Sequence, residues 1–138
     1  MATTRFRVSE AAALLGVSDD TVRRWADAGR LTITKGAGPA LIDGAELAAV
    51  AQEIAAESAL ADVFPASRAS ARNRLTGIVT RVVRDTVMAQ VELQAGPFRI
   101  VSLMSREAAD DLQLEPGVLA TASVKATTVV VELPEAGA

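Results

Sequence analysis

Ser70-Ala71-Arg72-Asn73-Arg74-Leu75 opens, and Val124-Lys125-Ala126-Thr127-Thr128-Val129 closes, the stretch that decides how this chain folds. Between these phrases the apolar pattern is that of strands. Residues 75–83 are rich in β-branched side chains with apolar groups on both faces: Leu75, Val79 and Val83, and also Ile78 and Val82. A strand apolar on both sides in so small a unit predicts that a second chain covers one of them. Val87, Ala89, Val91 and Leu93 alternate with Met88, Gln90, Glu92 and Gln94, the mark of a half-exposed strand. Gly96-Pro97 turns the chain into a third strand over 98–104. Ser105 then caps a short helix reaching Leu112, with Glu107 in its first turn. Glu115-Pro116-Gly117 is a turn, and 118–124 and 128–133 finish as strands. Five short strands with one intervening helix predict a small OB-like barrel.

The opening Ser-Ala-Arg-Asn phrase and the late Lys-Ala-Thr phrase, set in that strand pattern, resemble the Mop domain, the molybdate- and tungstate-binding member of the wider TOBE group. The resemblance implies that both phrases meet around a tetrahedral oxyanion. Such a dianion needs hydrogen-bond donors on all sides, because desolvating it without them is costly. Hydroxyls, backbone N–H groups and fixed cations serve. By position the resemblance assigns that work to Ser70, Ala71, Arg72, Lys125, Ala126 and Thr127. It adds Ser105 at the start of the short helix, where a helix N-terminus attracts anions. Small residues beside the donors allow close approach of the backbone. In the family single Mop units form closed oligomers with the oxyanion at subunit contacts, which implies a homo-oligomer between dimer and hexamer here. Taken singly, Arg72 and Lys125 are ordinary surface charges and Ser105 an ordinary cap; together they carry the reading.

Upstream, residues 8–16 read as a short helix with Ser9 as N-cap, Glu10 in its first turn and Gly16 just past its end. Ser18 starts a second helix that runs through Trp25 to about Ala28, with Val22, Trp25 and Ala26 on its buried face. Trp25 is thereby a core residue rather than a base-stacking one. Residues 30–35 and 40–42 form a hairpin around Gly36-Ala37-Gly38-Pro39. Asp43 caps a third helix, with Glu46 at the capping-box position and Leu47, Val50, Ala51 and Ile54 on one face. That helix continues without a breaker through Ala59, and Pro65 ends the pattern.

Helix, turn, helix, hairpin wing, helix is the order of the winged helix-turn-helix domains of the MerR and excisionase type. Thr21-Val22-Arg23-Arg24-Trp25, Ala28-Gly29-Arg30-Leu31 and Ile42-Asp43-Gly44-Ala45-Glu46-Leu47 resemble that family. The resemblance places Thr21, Arg23 and Arg24 against double-stranded DNA from the second helix and Lys35 from the wing. Arg30, with Arg5 and Arg7, would touch the sugar-phosphate backbone. Arginine reads guanine edges through paired hydrogen bonds or simply holds phosphates. Asp19 and Asp20 suit the helix dipole but repel phosphate, so a single copy is expected to bind weakly and several copies on repeated half-sites to offset this.

Composition bounds the rest. At 138 residues the chain suffices for two small domains, and 50% hydrophobic residues support packed cores. Aromatics are only 3%, so the cores are modest and association between chains is a natural way to bury more surface. There is no Cys and no His, which removes thiolate and imidazole metal ligands and the commonest general base. An enzyme is therefore the least favoured class. A net charge of −3 does not mark a generally basic nucleic-acid binder, although a local basic stripe suffices for one. No signal pattern or membrane-length run is seen, so a cytoplasmic location is expected.

These readings give an α+β, two-domain chain. A mainly helical winged helix-turn-helix domain spans 1–61, a linker 62–69, and an OB-like Mop-type β-barrel with one short helix 70–134. The expected function is a molybdate- or tungstate-responsive transcription regulator. The alternative is a molybdate storage or buffering protein whose first domain serves assembly, and a third reading is an interaction module with no ligand.

Overall fold

The structure, a computed structural model, describes residues 4–64 and 68–134. It divides into two compact units, Met1–Asp62 and Val63–Ala138. The expected linker falls partly at 65–67, so Pro65 lies outside the described residues.

In the first unit, strand β1 (Arg5–Arg7) feeds directly into helix α1 (Val8–Leu15). The helix therefore begins before Ser9, and its N-cap is Arg7. Glu10 supplies the expected acceptor at the positive end, taking the Arg7 N–H at 2.8 Å. Gly16, at φ 69°, ends the helix in the left-handed conformation, and Val17 N–H returns to the Ala12 carbonyl at 3.0 Å. Ser18 caps helix α2 (Asp19–Asp27), accepting the Thr21 N–H at 3.2 Å. Strands β2 (Ile33–Thr34) and β3 (Leu41–Asp43) form the wing. β1 adds to the free side of β3, with Phe6 opposite Ile42, giving the order β1-β3-β2. Three residues are too few for a period to show, so β1 was not legible in the sequence. Asp43 caps helix α3 (Gly44–Ala56) by accepting the Glu46 N–H. That helix stops before Ala59, and a separate turn of helix, α4 (Leu60–Val63), follows with Ser58 accepting the Leu60 N–H. Val8, Ala11, Ala12, Val22, Leu31, Ile42, Leu47 and Val50 make the core, with Trp25 packed at its edge as expected.

In the second unit, four antiparallel strands lie in the order β6-β5-β4-β7: β4 (Asn73–Arg84), β5 (Met88–Ala95), β6 (Phe98–Ser105) and β7 (Leu119–Val124). β4 organises the sheet by serving two neighbours with different halves. Its first half, to Ile78, pairs with β7, and its second half, from Ile78, pairs with β5. The hand-over coincides with a register shift between Val79 and Arg81, so the strand bends there and the sheet curls into a half-barrel. Gly77 lies at the bend: a Cβ there would stand 2.3 Å from the Gln94 carbonyl oxygen. Helix α5 (Arg106–Asp111) follows β6, capped by Ser105, whose Oγ accepts the Ala108 N–H at 3.0 Å. Val79, Val91, Leu93 and Leu114 fill the concave side.

Two expectations change. The fifth strand at 128–133 does not form within the chain. After β7 a 3-10 turn (Ala126–Thr128) redirects the backbone, and 129–134 runs unpaired with Val130, Val131 and Leu133 more than 80% exposed. Its β-branched residues favour a strand, but a strand needs an edge, and among the described residues no edge receives it. Glu92, expected on the wet face, is buried, because Arg99 and Arg81 from the flanking strands fold over its carboxylate. The outer side of β4 remains open, with Ile78 and Val83 about half exposed.

The β4–β5 connection is built on Asp85, whose Oδ1 accepts the Val87 and Met88 N–H groups at 2.8 and 2.7 Å. The Met88 and Val87 N–H groups hold its carboxyl below the ordinary value of 3.8, desolvation opposes them, and the Arg106 charge adds a lesser lowering. A depressed carboxyl stabilises the fold fully above its unfolded value and loses that contribution as pH falls through the folded one. The Asp85 carboxyl is therefore expected to titrate by NMR with a midpoint below 3.8. An Asp85→Asn chain should show a shallower loss of stability at acid pH, and a midpoint at or above 3.8 would remove this account.

Candidate oxyanion and nucleic-acid sites

The opening and late phrases meet at one end of the half-barrel. β4 begins at Asn73 and β7 ends at Val124, and these two residues are register partners. Asn73 Nδ2 also donates to the Val124 carbonyl at 3.1 Å, so the side chain clamps the strand ends together just before each loop departs. Ser70, Ala71 and Arg72 thus stand beside Lys125, Ala126 and Thr127. Arg72 is steadied by a long contact from Nη1 to the Ala69 carbonyl, 3.4 Å. Thr128 spends its hydroxyl on the Lys125 carbonyl at 2.9 Å, whereas the Thr127 hydroxyl has no partner among the described residues. The N–H groups of Ala126 and Thr127 open the 3-10 turn, where a helical start has no partners of its own. Among the described residues neither Arg72 nor Lys125 is in an ion pair, whereas Arg30, Arg81, Arg84, Arg99 and Arg106 all are. An unpaired guanidinium and ammonium beside hydroxyl and N–H donors is chemistry suited to an anion. The sequence assigns Asn73 of the opening motif no role; its clamp emerges only from the strand pairing.

Ser105 is not part of this group. It pairs with Met88 at the end of the sheet where Arg84 meets Ala89, the far end of β4 from Asn73. β4 has 12 residues, which corresponds to as much as about 40 Å of strand. Its Oγ is engaged as the helix cap. The structure therefore brings six of the seven expected oxyanion residues to one end and leaves Ser105 at the other.

In the first unit an open groove of about 680 Å³ runs between α2 and the wing, lined by Arg23, Asp27, Thr32 and Lys35 among others. It brings together the arginine of the second helix and the lysine of the wing. Arg23 Nη1 lies 3.9 Å from Asp20, a loose and exposed pair. Arg24 Nη2 donates to Thr21 Oγ1 at 3.1 Å. Arg30 is engaged elsewhere. Its guanidinium lies 5.5 Å from the Trp25 ring centre and pairs with Glu53 and Glu57 of the first unit, at 3.5 and 2.7 Å. It fastens the end of α2 to α3 and does not line the groove. Arg5 and Arg7 flank Phe6 on β1 and are exposed.

Among the described residues no group of three or more His, Cys, Asp or Glu could hold a metal ion, and no helix is long and apolar enough to cross a membrane.

Comparison with known proteins bears on both units. The TOBE domain family matches residues 69–131, and the helix-turn-helix domain family matches residues 6–54. The chain is 41% identical over 68 residues to molybdenum-pterin-binding protein MopA of Rhodobacter capsulatus, covering 49% of this chain and 26% of that one. It is 38% identical over 63 residues to molybdenum-pterin-binding protein 3 of Clostridium pasteurianum, covering 45% of this chain and 93% of that one. Among solved structures, a molybdate binding protein from Sporomusa ovata is 34% identical with a TM-score of 0.47, covering 49% of this chain and 100% of that one. The chain thus spans about a quarter of the first relative's length and nearly all of the second's. With its Ser-Ala-Arg-Asn opening and Lys-Ala-Thr loop clamped together in a curled antiparallel sheet, the chain belongs to the TOBE-domain family of molybdenum-pterin-binding proteins and carries a helix-turn-helix domain ahead of that unit.

Proposed function

We propose that this protein is a cytoplasmic, non-enzymatic transcription regulator that binds molybdate or tungstate in its second unit and double-stranded DNA with its first. The observation that carries the reading is the meeting of 70–72 with 125–127 beside two cations that have no ion pair among the described residues, in a chain that also holds a helix-turn-helix domain. Arg72 and Lys125 neutralise the dianion, while the Ser70 and Thr127 hydroxyls and the Ala71 and Ala126 N–H groups supply directed hydrogen bonds. Arg23 and Lys35 face the DNA across the groove, with Thr21 and Arg24 beside them on α2. Arg30 contributes by holding that helix in place.

Assembly follows from what one chain lacks. A pocket that includes Ser105 together with 70–72 and 125–127 requires two copies, because a single chain holds these groups at opposite ends of its sheet. An open apolar groove of about 460 Å³ reaches both sheet edges, lined by Val91, Leu93, Ile100, Leu103, Leu114 and Ala122 among others. The exposed 129–133 segment begins directly after the oxyanion loop. A homo-oligomer, between dimer and hexamer, covers both. A ligand bound between copies stabilises the assembly and fixes the spacing of the DNA-binding units, which couples oxyanion level to DNA affinity.

One observation favours a second reading, molybdate storage with the first unit serving assembly. α2 carries Asp19, Asp20 and Asp27 against Arg23 and Arg24, which weakens attraction to phosphate. Molar mass by light scattering and duplex affinity at two salt concentrations, each with and without saturating molybdate, separate the two. The regulator predicts salt-dependent duplex binding whose affinity changes at least about fivefold with molybdate. Val131→Asp, which charges the exposed segment, should lower the molar mass and abolish that molybdate response. A mass and a duplex affinity that both ignore molybdate would sink the regulator, and molybdate binding without duplex binding would select storage.

A further inference from the structure

The two adjacent arginines of α2 are in different states, and the difference originates at the helix cap. Ser18 Oγ is fixed by accepting the Thr21 N–H at 3.2 Å. That same oxygen lies 3.0 Å from Thr21 Oγ1 in a hydroxyl–hydroxyl bond. Thr21 Oγ1 in turn accepts from Arg24 Nη2 at 3.1 Å, and the direction of this last bond is certain because a guanidinium only donates. A threonine in a helix divides its time between two χ1 wells. Two partners on one hydroxyl select one of them. The cap thus orients Thr21, and Thr21 orients Arg24.

Arg24 is held by a neutral oxygen and, among the described residues, by no carboxylate. It keeps most of its donors in a planar fork, the geometry that matches the O6/N7 edge of guanine. Arg23, in contrast, leans on Asp20 and lines the groove with Lys35. A loosely paired cation on a flexible stem suits a phosphate, where direction matters less. Resting on the DNA-binding reading above, we infer that Thr21 is a positioning residue that aims Arg24 at a base edge, so that Arg24 sets sequence preference while Arg23 and Lys35 supply sequence-independent affinity.

The test starts with the full chain and a pool of randomised duplexes. Affinities for the selected duplex and for one with its guanines replaced are then compared by fluorescence anisotropy at three salt concentrations. Thr21→Val should cut the preference for the selected duplex about tenfold and leave the salt dependence unchanged. Thr21→Ser, which keeps the oxygen, should retain most of the preference. Arg24→Lys should lose the same preference, and adding Thr21→Val to it should cost nothing more. Arg23→Ala and Lys35→Ala should weaken binding to both duplexes alike and lower the salt slope by about one each. A Thr21→Val chain with intact preference, or preference carried by Arg23, would overturn the inference and leave DNA binding standing. A native chain that selects no sequence and binds without salt dependence would take the inference and the DNA-binding reading down together.

Discussion

Arg72→Ala and Lys125→Ala are each expected to weaken molybdate binding by about ten- to a hundredfold, and the double substitution to abolish it. Hydrogen bonds to a charged group contribute about 1.5–3 kcal/mol each, which is that range of affinity. The loss should fall on binding and spare the fold, since both side chains are exposed and, among the described residues, neither forms an ion pair. Arg30→Ala serves as the contrast. It breaks two ion pairs and a cation–π contact within the first unit, so it should lower stability without touching molybdate affinity. Equilibrium dialysis against molybdate in excess sulfate, with bound metal counted per chain, reads the outcome. Saturable binding that survives both substitutions would mean that the anion sits elsewhere.

Gly77→Ala is expected to destabilise the second unit by about 3 kcal/mol or more, although it adds only a methyl group. The new Cβ would stand 2.3 Å from the Gln94 carbonyl oxygen and 2.8 Å from its carbon, and both belong to backbone held in the β4–β5 ladder. Neither can rotate away as a side chain would. Gly77 lies next to Ile78, where β4 passes from β7 to β5, so relieving the contact means flattening the curl. Thermal unfolding should show a fall on the order of 10–20 °C for that unit. Gly36→Ala, in the wing with nothing within 4 Å of the new Cβ, should change the midpoint little. Equal midpoints for Gly77→Ala and the native chain would show that the bend does not need glycine.

The elements most legible in the sequence were those with local causes. Ser18, Asp43 and Ser105 cap helices as their spacing predicts, because a cap needs only residues three positions apart. The alternation of Ala89, Val91 and Leu93 revealed β5, since period two is printed in consecutive residues. Ser9 misled because the residues before it form a strand leading straight into the helix, which its own neighbourhood does not announce. The same holds for Glu92, which alternation assigns to water. Its burial comes from Arg81 and Arg99 on two other strands.

By itself, then, the sequence determined most of the helices and strands, the helix-turn-helix with its wing, and the two phrases that identify the oxyanion-binding family. All of these are properties of short stretches. The tertiary structure alone decided that those phrases meet through Asn73 and Val124, that Ser105 stands apart from them, that Arg30 pairs with Glu53 and Glu57, and that among the described residues no edge receives 129–133. The physical reason is common to all four. Strand pairing and ion pairing join residues far apart in the chain through a register that no short window records.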